Sequence, residues 1–427
     1  MNVLVVGSGG REHAIIKALK KNTGIRKLYA APGNGGISKE VHCVNIKTTD
    51  ISAITDFVIE CNINYIVVAP DDPLALGLVD SLEKRGKKCF GPNKAAARIE
   101  SSKVFSKNLM KKYGIPTAAY ETFDNPEKAL EYVKSSRVSF PLVLKADGLA
   151  LGKGVIIAQD AGEAQSAVTA IMKDKKFGEA GVSVVIEEFL TGSEVTVLAF
   201  TDGKTIKPMV SSMDHKRILE GNKGLNTGGM GAIAPNPHYI SSIAAICEKT
   251  IFEPTVMAMR SEGCPFKGCL YFGLMLTMQG PKVIEYNCRF GDPEAQAVLP
   301  LLETDLFEIM NAVTDEKLDT IDIKWSNAYS ACVVLASGGY PESYKTGLEI
   351  KGLDANGNLF GSVNADSPIV YHAGSMFDGS KFVTSGGRVL GVTAVGPTAL
   401  NALQTAYNTA SQIGFEGVYY RKDIGKY

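Results

Sequence analysis

The chain has 427 residues, with 45 Lys plus Arg balancing 45 Asp plus Glu and 45% apolar residues, which suits about three soluble domains that each bury a core. The balance excludes a basic field for non-specific binding of nucleic acid or an anionic membrane, so small-molecule partners are expected. The run Met1-Asn-Val-Leu-Val-Val-Gly7 meets glycine too early for a signal peptide or a spanning helix, and neither the eight cysteines nor the five histidines show metal-site spacing; a cytoplasmic chain with reduced thiols and no transition metal is expected.

Over the first hundred residues strands at 3–6, 27–30 and 65–69 alternate with helices at 11–21, 51–61 and 76–85, which predicts a parallel α/β sheet with helices on its faces. The turns Gly7-Ser-Gly-Gly10, Ala31-Pro-Gly-Asn-Gly-Gly36 and Ala69-Pro-Asp-Asp-Pro73 follow the strands, where ligands of open parallel sheets bind. After Gly91-Pro92 a helix at 102–113 closes on Gly114 and Pro116. Strands at 142–145, 184–189, 195–200 and 283–287, with helices at 125–135, 161–172 and 241–262, then predict a mixed α+β region. From about Ser326 the pattern is β-rich, with an Asn356-Gly357 turn, a strand at 388–395 and one helix at 399–413. The expected domains are 1–100, 101–325 and 326–427, with no internal repeat.

Four stretches carry candidate chemistry. Gly7-Ser-Gly-Gly-Arg-Glu12 joins a strand to a helix and suits an anion, or is simply a tight turn; as a dinucleotide fingerprint it lacks the third glycine and a ribose carboxylate. In Lys145-Ala-Asp-Gly-Leu-Ala-Leu-Gly-Lys-Gly154 three glycines let backbone approach a polyphosphate, and Lys145 and Lys153 add positive charge; a plain hairpin would explain the glycines but not a lysine ending an apolar strand. Val184-Val-Ile-Glu-Glu-Phe-Leu190 with Glu194 could present a strand edge to adenine and a carboxylate to a ribose, although alone it reads equally as a strand with a polar end. In Val283-Ile-Glu-Tyr-Asn-Cys-Arg-Phe290 alternation puts Ile284, Tyr286, Cys288 and Phe290 on the core face and Glu285, Asn287 and Arg289 on the other. Together the stretches suit ATP with Mg²⁺ (or Mn²⁺) held by Glu285 and Asn287, while Arg289 pairs with a substrate anion.

Those motifs, with Asp214-His-Lys-Arg217, Asn226-Thr-Gly-Gly-Met-Gly231, Gly386-Gly-Arg-Val-Leu390 and Tyr420-Arg-Lys-Asp-Ile-Gly425, resemble the phosphoribosylamine–glycine ligase family of purine biosynthesis from end to end. The resemblance implies an N-terminal α/β domain, an ATP-grasp central domain with a nucleotide-closing part at about 120–190, and a small β-rich C-terminal domain. It implies ATP contacts from Lys103, Lys145, Gly148, Gly152, Lys153, Gly154, Glu187, Leu190 and Glu194, and metal contacts from Glu285 and Asn287. Glycine and 5-phosphoribosylamine would meet Gly9, Gly10, Asn34, Asn226, Thr227, Gly228, Arg289, Gly291 and Asp292, with Lys145, Arg289 and Asp214 in catalysis. The chain departs from the family pattern at Asp71 (usually Glu), Met213 (usually Gln) and Leu225 (usually Pro), near the small substrates, and Asp71 is assigned no catalytic duty. A monomer is expected, with no second purine enzyme fused downstream. The rivals are an ATP-grasp ligase with another amine and acid, a nicotinamide oxidoreductase using the Gly7 loop and a non-catalytic nucleotide sensor.

Overall fold

The computed structural model describes residues 1–149, 154–176, 178–361 and 367–426. Its N-terminal sheet is parallel and five-stranded, in the order His42–Cys43, Lys27–Pro32, Asn2–Gly7, Tyr65–Val68, Lys88–Phe90. Residues 2–6 of the central strand are apolar after Asn2, and the whole strand is buried, as a strand covered on both faces requires. The single helix expected at 76–85 is two short ones, Asp71–Leu76 and Leu78–Glu83, parted at Gly77, whose φ of +91° is left-handed. A helix not expected from the sequence, Lys94–Ser101, is capped by the Asn93 side chain and brings Glu100 to the cleft.

The next sheet is antiparallel, in the order Tyr120–Phe123, Val184–Glu188, Leu142–Ala146, Val155–Ala158. Helices Pro126–Lys134 and Ala161–Val168 pack on it around Val133, Leu144, Ala146, Val168 and Ile186. The second central sheet runs Ile206–Pro208, Ser193–Asp202, Lys267–Thr277, Gly280–Asn287. It shares a core with the N-terminal sheet, in which the ring centroid of Phe290 lies 6.1 Å from that of Phe90 and 6.0 Å from that of Phe200. Both long helices expected here depart from regularity. Ala161–Val168 widens into a π-type turn over Thr169–Lys173, and Ser241–Cys247 passes through one at Glu248–Phe252 before Glu253–Ser261. At the second site Pro254 lacks the N–H that would continue the regular ladder.

The C-terminal sheet is ordered Met213–Asp214, Gly231–Ala234, Tyr329–Ala336, Arg388–Gly396, Ile369–His372, with helix Ala399–Ala410 on one face. Two of its strands come from the middle of the chain. The segment carrying Asp214 and Lys216 is therefore built into the C-terminal sheet, and the sheet runs across the boundary expected at 325/326. Among the described residues no helix is long and apolar enough to cross a membrane.

Candidate active site

The strand Gly280–Asn287 is the spine of the site. Its register with Lys267–Thr277 skips Ile284, so that Glu285 faces Gly273 and Val283 faces Leu274. This bulge inserts one residue. It corrects the expected alternation: Val283 is fully buried and Ile284 only half-buried, while Tyr286, Cys288 and Phe290 are in the core as expected. Glu285, Asn287 and Arg289 stay together outside the core. The bulge also frees the Ile284 carbonyl, to which Lys145 donates at 3.0 Å.

Around this strand four lysines gather among the described residues. Lys145 Nζ lies 3.1 Å from Glu187 Oε1, and Lys107 Nζ, from helix Lys103–Tyr113, lies 3.0 Å from Glu187 Oε2. All three side chains are 5% exposed or less. Burial pushes the Lys107 pKa down to about 8 against the pull of Glu187. Lys103, one turn earlier, donates to the Gly148 carbonyl at 2.9 Å, and burial lowers its pKa as well. Lys216 donates to Glu285 Oε1 at 3.1 Å and lies 3.8 Å from Glu194 Oε2. The Lys216 ammonium is the main cause of a Glu285 pKa near 2; burial opposes it, and Lys145 and Lys103 add to it. Three ammonium groups thus converge on one carboxylate.

The donor set beside them fits magnesium or manganese. An amide oxygen would repel the Glu100 carboxylate, so the Asn287 amide nitrogen belongs toward Glu100 Oε1 (2.9 Å) and the Tyr286 carbonyl (3.1 Å), with its oxygen turned away from both. Glu285 and Asn287 then offer neighbouring hard oxygens, the one or two protein ligands Mg²⁺ commonly takes when phosphates supply others. A cationic group, the Lys216 ammonium, already stands on Glu285. Among the described residues no group of three or more His, Cys, Asp or Glu side chains makes a metal cage.

The turn after Lys145 is tied to the start of the Lys103 helix: Asp147 accepts from the Val104 N–H at 3.1 Å and from the Ser102 hydroxyl at 3.4 Å. Gly148 has φ +151°, and a Cβ there would stand 2.7 Å from Ala180 Cβ. Gly152 and Lys153 lie outside the described residues. Gly154 is described, and its carbonyl accepts from the Ala146 N–H at 2.9 Å. Beyond Glu188 the strand ladder ends, and the backbone of Phe189 and Leu190 makes no hydrogen bond within the described residues, which leaves a free edge between the two central sheets.

The carboxyl ends of the N-terminal sheet face the loop after Asn287. Glu12 turns back to accept from the Gly9 N–H at 2.5 Å, and Asp292 accepts from the Arg11 N–H at 3.3 Å and from Gln296 at 2.8 Å. The helix N-terminus expected as an anion site thus has two amides on the chain's own carboxylates. A Cβ at Gly9 would stand 2.8 Å from Glu12 Oε2 and one at Gly10 2.4 Å from Gln296 Nε2, in each case the tip of a side chain. Asn34 donates to the carbonyls of Ser8 (2.8 Å) and His372 (2.7 Å) and accepts from the Ile37 N–H (2.9 Å), joining the first sheet to the C-terminal domain. Arg289 lies 3.0 Å from Glu100 Oε1 and 3.7 Å from Asp71 Oδ2. Arg388 donates to the carbonyls of Gly228 (2.5 Å) and Asp292 (2.7 Å) and binds these two loops together. Thr227 donates twice to the Lys216 carbonyl, by N–H and hydroxyl, each at 2.8 Å, and Asn226 pairs with Arg217 in the adjoining hairpin. A Cβ at Gly291 would meet Glu294 at 2.4 Å. Asp214 Oδ1 is buried with no hydrogen-bond partner among the described residues, and burial followed by the charge of Glu294 raises its pKa.

Family models match nearly the whole chain: the phosphoribosylglycinamide synthetase N domain over residues 1–100, its ATP-grasp (A) domain over 101–295 and its C domain over 330–427. The chain belongs to the phosphoribosylglycinamide synthetase family. It is 47% identical over 424 residues, covering 99% of both chains, to the phosphoribosylamine–glycine ligase of Caldanaerobacter subterraneus subsp. tengcongensis. It is 46% identical over 427 residues to the human trifunctional purine biosynthetic protein adenosine-3, covering 99% of this chain and 41% of that one. The crystal structure of the Thermotoga maritima phosphoribosylamine–glycine ligase superposes with a TM-score of 0.86 at 33% identity, covering 100% of each chain. The biotin carboxylase domain of Hydrogenobacter thermophilus 2-oxoglutarate carboxylase, solved with MgADP, shares the fold at 16% identity and a TM-score of 0.71, covering 98% of this chain and 91% of that one.

Lys145 meets Glu187, Lys103 reaches the Gly148 carbonyl, and Lys216 joins Glu194 to Glu285, while Glu100 lies beside both Asn287 and Arg289 and Arg388 ties the 226–228 turn to Asp292. Gly9, Gly10 and Asn34 lie in the turns that follow strands Asn2–Gly7 and Lys27–Pro32. Sequence reasoning passed over Lys107, Lys216, Glu100 and Arg388. Lys107 had a signal, since it lies four residues after Lys103 on the same helix face. Lys216 and Arg388 lay inside quoted motifs without a partner to give them roles.

Proposed function

We propose that this cleft is the centre of an ATP-dependent ligase of purine biosynthesis that joins glycine to 5-phosphoribosylamine, giving glycinamide ribonucleotide, ADP and phosphate through glycyl phosphate. The observation that carries the assignment is the Glu285 carboxylate, paired with the Asn287 amide on one strand and faced by Lys103, Lys145 and Lys216. A carboxylate is a poor electrophile. Transfer of the γ-phosphoryl group to a carboxylate oxygen of glycine creates an acyl phosphate. The amine nitrogen then attacks the carbonyl carbon, the C–O bond to phosphate breaks, the amine gives up a proton, and phosphate leaves with that oxygen.

In this scheme Lys103, Lys107 and Lys145 hold the phosphates, with the turn at Gly148 over them. The free backbone edge at Phe189 and Leu190, just past Glu187, receives adenine, and Glu194 the ribose. Glu285 and Asn287 would hold Mg²⁺, which when bound neutralises phosphate charge. Arg289 and the 226–228 turn meet the small substrates, while Gly9, Gly10, Asn34, Gly291 and Asp292 shape the crevice through their bonds within the chain. Asp214, in its carboxylate form, would take the proton that the amine loses. Enclosure protects the acyl phosphate from water. The test is ADP release with ATP, Mg²⁺ and glycine, with and without 5-phosphoribosylamine. Release that needs both substrates supports the proposal. Release independent of the amine, or its replacement by another amine, refutes it.

A further inference from the structure

The motif Tyr420-Arg-Lys-Asp-Ile-Gly425 lies far from Glu285 in sequence and takes no part in the scheme above, yet it holds both chain neighbours of Lys216. Arg421 is 1% exposed. Its Nε and Nη2 each donate to an Asp423 carboxylate oxygen at 2.7 Å, and its Nη1 donates to the Arg217 carbonyl at 3.0 Å and to Asn222 Oδ1 at 3.1 Å. On the other side of Lys216, the Gly425 N–H donates to His215 Nε2 at 3.0 Å while His215 Nδ1 faces the Gly231 carbonyl at 3.3 Å. A backbone N–H only donates and a carbonyl only accepts, so both contacts require a neutral imidazole carrying its proton on Nδ1.

The segment that grips Lys216 is itself rigidly seated. Tyr419 exchanges two backbone hydrogen bonds with Ala336 on the C-terminal sheet, at 2.8 and 2.9 Å, and its hydroxyl donates to the Ile218 carbonyl at 2.8 Å. The Tyr407 hydroxyl accepts from the Ile424 N–H and donates to the Arg421 carbonyl, both at 2.9 Å. A path of hydrogen bonds therefore leads from the sheet to the backbone on either side of Lys216, and from its ammonium to Glu285.

We propose that Arg421 and His215 are positioning residues for the ligase reaction, through which the C-terminal segment sets the Lys216 ammonium against Glu285. The inference rests on the cleft being the ligase centre. Neither residue touches the reacting atoms; both act through Lys216.

A double-mutant cycle tests it. Arg421→Lys keeps the charge but loses the fork that spans Asp423 and the Arg217 carbonyl. It is expected to lower kcat about ten- to a hundredfold in the native background, the scale for a reacting group misplaced by about 1 Å. In a Lys216→Met background the same change is expected to alter kcat less than about twofold. His215→Leu, which removes the acceptor for the Gly425 N–H, gives a second cycle with the same expectation should Arg421→Lys fail to fold. Trace acetylation, read by peptide mass spectrometry, is independent of activity: labelling of Lys216 relative to Lys381 is expected to rise severalfold in either single variant, with Lys145 unchanged. Equal kcat losses in both backgrounds, a folded variant with native kcat, or unchanged Lys216 labelling overturns the inference. Absence of ligase activity in the native enzyme would instead refute the proposed function and leave the labelling result standing.

Discussion

Glu187→Gln removes one charge and almost no volume from the most enclosed part of the site. In the native protein Glu187 stands 3.0 Å from Lys107 and 3.1 Å from Lys145, with each side chain at most 5% exposed. Removing one partner of a buried ion pair costs about 3–5 kcal/mol, because the remaining charge is left uncompensated. At about 2–4 °C per kcal/mol for a unit of this size, the melting temperature of the ligand-free protein should fall by about 6–20 °C. The pH dependence gives a second signature. Burial lowers the Lys107 pKa from the ordinary 10.5 to about 8. Between those values the unfolded chain binds the extra proton, so native stability rises with pH across that window, by up to about 1.4 kcal/mol per unit, and is flat in this respect below it. Without Glu187 the folded Lys107 pKa drops further, and the rise begins at lower pH. Calorimetric scans of both proteins from pH 6 to 10 measure both effects. A variant within about 1 kcal/mol of native, with the same pH profile, would show that the two lysines do not depend on Glu187, against the reasoning from buried charge.

Lys145→Ala and Glu285→Ala should each lower kcat by about two orders of magnitude or more, the scale for losing one preorganised charge-stabilising group, in steady-state assays of ADP release; near-native Mg²⁺-dependent turnover by a folded Glu285→Ala protein would contradict the metal assignment. Gly148→Ala should raise the KM for ATP, because its φ of +151° and the 2.7 Å approach of Ala180 Cβ leave no room for a side chain in the present turn; an unchanged KM would disprove that this turn covers the nucleotide. Burial lowers the pKa of His215 to about 4 and of His372 to about 3. The unfolded chain takes up protons at about 6.5 while the folded one does not, so each histidine contributes stability that is complete above about 6.5 and is lost as pH falls toward its folded value. Equilibrium unfolding of the native protein and His215→Leu should show a shallower acid loss in the variant; parallel curves would contradict it.

Much of the fold was legible because its signals are local. Alternation of strand and helix over residues 1–90 predicted the parallel sheet, and the polar residues Glu285, Asn287 and Arg289 identified one side of a strand before any partner was known. The bulge at Ile284 was not legible, because it depends on register with a strand that carries the small Gly273 opposite Glu285. Nor was the transfer of Met213–Asp214 and Gly231–Ala234 to the C-terminal sheet, which rests on pairing with Tyr329–Ala336, about a hundred residues away. The same holds at the Gly9 turn. Its helix-starting geometry was readable, but the arrival of Asp292 on the Arg11 amide comes from 281 residues along the chain. Long-range contacts decided which amides were free.

The most direct test of the proposed chemistry uses glycine labelled with ¹⁸O in its carboxylate, turned over with ATP, Mg²⁺ and 5-phosphoribosylamine, with the released phosphate analysed by mass spectrometry. The acyl phosphate route predicts one ¹⁸O atom in each phosphate, because the oxygen that attacks the γ-phosphorus leaves with it. Phosphate free of ¹⁸O, formed while glycinamide ribonucleotide accumulates, would contradict activation of the carboxylate by phosphoryl transfer.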